Sequence, residues 1–226
     1  MRPPSHLPVL LIPGFQAGDD SLAVMAWRLR RAGHEPFRAG MRSNISCAAV
    51  ALDALEDRLE TALADGRGRV AVVGHSHGGT LGRSLAMRRP DLVAGVVALG
   101  SPLFDQLALH PLARLPVRLV GGLGSRGTPG LFRRECLDGE CCNEVRDAAL
   151  RPFPAGVGFV SVYSRSDGVV DWRSCLDPRA EAVEISSSHL GMAVSATAYQ
   201  AIGRALRSFA PARRPGAESP PEPALV

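Results

Sequence analysis

The chain has 226 residues, and its 26 basic side chains, all arginine, stand against 22 acidic ones for a net charge of +4. The lack of lysine excludes Schiff-base and lysine-base chemistry and a Walker-type phosphate loop, and so small a surplus of charge predicts no nucleic-acid partner. The length suits one domain with a substantial core, and no apolar run reaches the roughly 18 residues that a membrane span requires.

Residues 7–12 form a continuous apolar run ended by Pro13-Gly14, the pattern of a buried parallel strand. The run is too short for the apolar core of a secretion signal, so a cytoplasmic location without stable membrane insertion is expected. Asp20 or Ser21 caps a helix to Arg31, with Leu22, Met25, Ala26 and Leu29 on one face and Gly33 as its stop. A weak strand at 36–39 follows. Ser46 opens the clearest helix, in which Val50, Leu52, Leu55, Leu59 and Leu63 recur at helical spacing up to Gly66.

Further along, 69–74 reads as a buried strand and 78–88 as a helix. Residues 92–99, 158–163 and 182–185 read as strands, and 192–209 as the last helix. Alternation of this kind predicts an α/β fold, a parallel sheet of about six strands with helices on both faces. Residues 103–156 are too long for a simple crossover and read as an insertion that caps the domain. Residues 1–210 make one domain. From Pro211 on, the chain holds five prolines in sixteen residues, and this tail is expected to be disordered.

The five cysteines leave two readings open, a Cys136–Cys141 disulfide with other thiols unpaired, or buried thiols throughout. Their C-x4-C step lacks zinc-ribbon spacing and a second pair, so no metal is expected.

Chemistry concentrates at Gly74-His75-Ser76-His77-Gly78, a G-x-S-x-G sequence. With 24 glycines in the chain the pattern arises readily by chance. Its context gives it weight, because it directly follows one apolar strand and opens a helix, as a nucleophile elbow does. A serine hydroxyl needs a base to take its proton, and in this arrangement the acid and the base come later in the chain. Asp167 follows the strand at 158–163, and His189 follows the strand at 182–185. The carboxyl ends of parallel strands share one edge, where Ser76, Asp167 and His189 converge. Asp171 is the alternative acid. The oxyanion donors are the backbone N–H groups of His77, just after the serine, and of Phe15, in the loop after the first strand. His75 and His77 form an H-x-H pair, but side chains flanking an elbow diverge, which argues against a metal.

These segments resemble the α/β-hydrolase superfamily, and within it small bacterial serine lipases and esterases. The resemblance rests on Val-Leu-Leu-Ile-Pro-Gly-Phe, Val-Val-Gly-His-Ser-His-Gly-Gly, Ser-Val-Tyr-Ser-Arg-Ser-Asp-Gly-Val-Val and Ser-Ser-His-Leu-Gly-Met, all in family order. It implies an α/β-hydrolase fold and a cofactor-free Ser-His-Asp hydrolase of acyl esters or lipids, with a small-molecule substrate. Two departures stand out. Pro13-Gly14 replaces the His-Gly of many members, and residues 103–156 add a cap that the smallest lipases lack. Leu103, Phe104, Leu107, Leu109 and Trp172 are candidates for an acyl-binding wall, and Arg126, Arg133 and Arg134 for contacts with anionic groups.

Three other functions compete. An acyltransferase or thioesterase uses the same acyl-enzyme with another acceptor, and a non-catalytic binding protein shares the fold. A dinucleotide site at Gly122-Leu-Gly-Ser-Arg-Gly127, after a strand-like 117–120, is disfavoured because Pro129-Gly130 interrupts the helix that such a site requires.

Overall fold

The computed structural model describes residues 7–66, 68–103, 108–138 and 143–210. Phe104, Leu107, Cys141, Cys142 and the tail from Pro211 lie outside the described residues, and with them the Cys136–Cys141 pairing. Six strands form one sheet: β1 (Pro8–Ile12), β2 (Glu35–Arg38), β3 (Val70–His75), β4 (Val93–Leu99), β5 (Gly158–Tyr163) and β6 (Glu181–Glu184). Their order is β2-β1-β3-β4-β5-β6, and every neighbouring pair is parallel.

Parallel neighbours require crossovers, and helices supply them. After a 3-10 turn at Asp19–Leu22 comes α1 (Ala23–Arg31), and then α2 (Ala48–Leu63) and α3 (His77–Arg88). Between β4 and β5 lie α4 (Pro111–Ser125), α5 (Glu135–Asp138) and α6 (Asn143–Leu150), and α7 (Ala196–Phe209) ends the fold. Strand side chains alternate between the faces, so the sheet divides its apolar residues between two cores. Val9, Leu11, Ala71 and Val73 pack with Met25 and Leu29 of α1 and with Ile202 and Leu206 of α7. Leu10, Ile12, Val70 and Val72 pack with Leu52, Leu55 and Leu59 of α2 and with Leu81 and Leu85 of α3. Both faces are covered, which is why the strands read as unbroken apolar runs.

The segment between β4 and β5 divides in two. Val145 of α6 is buried in the α2/α3 core, whereas Val117 and Val120 of α4 form a separate small cluster with Phe132. At the far edge, β6 is short and mostly exposed. It is held to β5 by a four-residue register from Val160↔Glu181 to Tyr163↔Glu184.

Three details depart from the sequence expectations. Val50 is 60% exposed, because two helical steps turn it about 200° away from Leu52. The final helix is interrupted: a 3-10 turn at Leu190–Ala193 precedes α7, and the Ser195 side chain caps α7 by accepting from the Ala198 N–H at 3.5 Å. Residues 117–120, strand-like in sequence, lie inside α4. Gly121 and Gly124 let the returning segment approach this helix, since a Cβ on Gly124 would strike the Phe132 backbone. That close packing offsets the poor helix propensity of glycine and of the internal Pro116.

Candidate active site

The chain runs from β1 outward to β2 and then crosses back to β3, so the order reverses between β1 and β3. Ligands of open α/β sheets bind outside the carboxyl ends of the strands at such a reversal. Here β3 ends at His75 and α3 begins at His77, with Ser76 between them at φ 54° and ψ −128°. A residue with a Cβ held there stores about 1–3 kcal/mol of strain. The turn is this tight because two glycines allow it. A Cβ on Gly74 would strike the Gly78 backbone, and one on Gly78 would strike the carbonyls of Ile12 and Pro13. The Ser76 N–H donates to the Leu99 carbonyl at 2.8 Å, which anchors the elbow to β4.

Asp167 and His189, each in the loop that follows a strand, are both 5% exposed. Oδ1 of Asp167 accepts the N–H groups of Val169 at 2.9 Å and Val170 at 2.7 Å. Oδ2 faces His189 Nδ1 at 2.7 Å, and the His189 N–H donates to the Asp167 carbonyl at 3.0 Å. A carboxylate only accepts, so Nδ1 carries the proton, and in the neutral ring the lone pair is on Nε2. Asp171 does other work: it is exposed, and its carboxylate caps the 3-10 turn at Trp172–Cys175 through the Arg173 N–H at 3.0 Å.

Phe15 lies in the loop after β1, where Asn44 holds the chain. Buried Asn44 donates from Nδ2 to the Pro13 carbonyl at 2.9 Å, and its own carbonyl accepts the Gln16 N–H at 3.0 Å. Among the described residues, neither the Phe15 N–H nor the His77 N–H meets an acceptor. Both residues line a cavity of about 300 Å³ together with Ser76 and His189. Leu109, Val117 and Phe132 supply part of its apolar wall, and no Asp, Glu or Arg is among the described residues that line it.

Two residues expected at that wall are elsewhere. Leu103 turns inward after β4 and is 2% exposed in the α2/α3 core. Trp172 stacks on Tyr163 at 5.8 Å, with the guanidinium groups of Arg165 and Arg173 over its ring at 4.9 and 4.7 Å. Gly100, Asn44, Val117 and Phe132 were not singled out from the sequence. Only Gly100 carried a signal, a glycine at the end of a buried strand. At φ 54°, a Cβ there would lie 3.0 Å from Asp167 Oδ2 and 3.2 Å from His189 Nδ1.

Residues 47–119 match a family model described as alpha/beta hydrolase fold. Among solved structures, the chain is similar to the mature lipase BlEst2 of Bacillus licheniformis, with a TM-score of 0.68 and 13% identity over 91% of this chain and 94% of that one. A thermophilic esterase of Thermogutta terrifontis, solved with malate bound, aligns with a TM-score of 0.60 and 18% identity over 91% of each chain. Carboxylesterase CesB of Bacillus subtilis aligns at 0.55 and 13% over 89% of this chain and 84% of that one. The chain has the α/β-hydrolase fold.

Within this hydrolase fold, two histidines beside the elbow are held neutral. Burial, and then the neighbouring His189, push the pKa of His75 down to about 4. Burial alone does the same to His77, also to about 4. Burial also pushes the Cys175 thiol up to about 12, so it is an inert packing group behind β5. Among the described residues no group of three His, Cys, Asp or Glu is placed to hold a metal ion, and no helix is long and apolar enough to cross a membrane.

Proposed function

We propose that the chain hydrolyses carboxylic esters with apolar acyl groups, through an acyl-enzyme formed on Ser76. The observation that carries this reading is the hydrogen-bonded Asp167–His189 pair, 2.7 Å apart, whose histidine lines the same apolar cavity as a serine at positive φ. His189 Nε2 takes the Ser76 proton as the hydroxyl attacks the ester carbonyl. Asp167 holds the tautomer that leaves Nε2 free and stabilises the imidazolium that forms. The N–H groups of Phe15 and His77 receive the oxyanion, at the amino end of α3, whose dipole favours negative charge. His189 then protonates the leaving alcohol, and water repeats the cycle on the acyl-enzyme.

The apolar wall receives the acyl chain, and the first part of the segment 103–156 acts as its cap through α4. The lipase and esterases among the structural neighbours agree with this reading. In it the enzyme works in the cytoplasm as a single domain, residues 1–210, without a cofactor.

The test is hydrolysis of p-nitrophenyl esters of graded acyl length by the wild type and by Ser76→Ala. The serine variant loses about 10³-fold or more in kcat/KM. Wild-type turnover no higher than that of the variant, at every chain length, would refute the proposal. Alcohol and thiol acceptors added to the same assay report whether water is the preferred acceptor.

A further inference from the structure

His75 precedes the serine, and the proposed mechanism gives it no role. Strand alternation puts it on the same face as Ala71 and Val73, toward the core that α1 and α7 share. The turn after His189 packs on that face too, through buried Met192. His75 is 7% exposed, its Nε2 lies 2.9 Å from the His189 carbonyl oxygen, and the two imidazole rings stand 4.9 Å apart at 41°. A carbonyl only accepts, so His75 carries its proton on Nε2 and its lone pair on Nδ1. That lone pair faces the loop after β1, since a Cβ on Gly14 would lie 3.4 Å from Nδ1.

The main chain of His189 is therefore held from both ends. Its N–H donates to the Asp167 carbonyl at 3.0 Å, and its C=O accepts from His75. The first bond ties the histidine to its acid. The second ties it to the residue next to the serine, beside the contact between the two rings. The approach of the imidazole to the hydroxyl decides the rate in such a site, and a misplacement of 1 Å costs about 100-fold.

We propose that His75 is a positioning residue, whose Nε2–H to the His189 carbonyl fixes the imidazole of His189 relative to Ser76. This rests on the reading of Ser76, Asp167 and His189 as a triad. The groups that face His75 are His189 and Asp167. The ring must be neutral to serve, because a second imidazolium beside His189 would oppose the charge that develops there in the transition state. Burial of the ring meets that requirement.

The test compares His75→Phe, which keeps a ring without a donor, with His75→Gln, which keeps a donor near Nε2. With p-nitrophenyl esters, His75→Phe loses about 10- to 100-fold in kcat with little change in KM, and His75→Gln recovers most of the loss. Labelling of Ser76 by a fluorophosphonate slows in step. Wild-type kcat in His75→Phe, or equal losses in the two variants, overturns the proposal and makes His75 a space filler.

A second measurement does not need ester turnover. Nitrogen-15 imidazole spectra of the wild type show His75 neutral, with its proton on Nε2, from about pH 5 to pH 8. A proton on Nδ1, or titration near the ordinary histidine value of about 6.5, overturns the proposal whether or not the triad reading stands. If Ser76→Ala keeps wild-type turnover while the spectra are as expected, the triad fails and the His75–His189 bond is simply structural.

Discussion

Replacing Asp167 by asparagine separates chemistry from stability at one position. Oδ1 of Asp167 accepts two backbone N–H groups, from Val169 and Val170, and an amide oxygen accepts them equally well. The new NH2 falls where Oδ2 stood, 2.7 Å from His189 Nδ1. Two donors cannot face each other, so the histidine moves its proton to Nε2 and loses the lone pair that should receive the serine proton. The expected loss in kcat is about 10⁴-fold, as for the equivalent change in a serine protease triad, which corresponds to about 5.4 kcal/mol at 1.36 kcal/mol per decade. The fold barely registers the change, because every backbone bond survives.

Asp167→Ala makes the contrast. It abolishes turnover too, but it leaves the buried Val170 N–H and the half-buried Val169 N–H without an acceptor, the buried one costing about 1–3 kcal/mol. Steady-state hydrolysis of a p-nitrophenyl ester and urea unfolding of both variants check the two halves. An asparagine variant within tenfold of wild-type kcat would refute the assignment of the acid. So would a comparable loss in Asp171→Asn, whose exposed carboxylate caps a turn and pairs with Arg173 and whose replacement should cost less than twofold in rate.

Gly100→Ala puts a methyl group 3.0 Å from Asp167 Oδ2 in a backbone conformation that disfavours any side chain; it should lose about 1–3 kcal/mol in urea unfolding and about 10-fold or more in kcat. The neutral histidines predict an acid limb in stability. Each has a folded pKa of about 4 against about 6.5 unfolded, so the unfolded chain binds more protons and stability falls with falling pH. The contribution is complete above about pH 6.5 and is lost as pH falls towards about 4, by about 3 kcal/mol for buried His75 and by less for the partly buried His77. Thermal midpoints measured across that window should drop in the wild type and drop less in His77→Gln; a flat profile would show that the rings are protonated in the folded state.

The sheet was legible because burial on both faces leaves β1, β3 and β4 as unbroken apolar runs, each ended by glycine or proline. The elbow was legible because its chemistry is local, a strand, a strained serine and a helix within a few residues. Asp167 and His189 are candidates by position, each just past a strand whose carboxyl end shares an edge with Ser76. What escaped was the packing between segments distant in sequence. Val50 has the apolar character of the inner face of α2 but lies about 200° round the helix from Leu52, in solvent. The glycines of α4 suggested a loop, since sequence alone does not show that Phe132 returns against them. Asn44 and Gly100 act through contacts with residues far along the chain, and neither residue type announces such a contact.

The short edge strand β6 has one further consequence. His189 hangs from it, yet β6 contributes only four residues to the sheet, mostly exposed, and its charged ends Glu181 and Glu184 discourage pairing with another chain. Elements with little burial open locally at free energies well below that of global unfolding. In rising denaturant β6 should therefore fray while the α1/α7 and α2/α3 cores are still closed. Hydrogen exchange at the β6 amides is then a finer gauge of the integrity of this molecule than its helical signal.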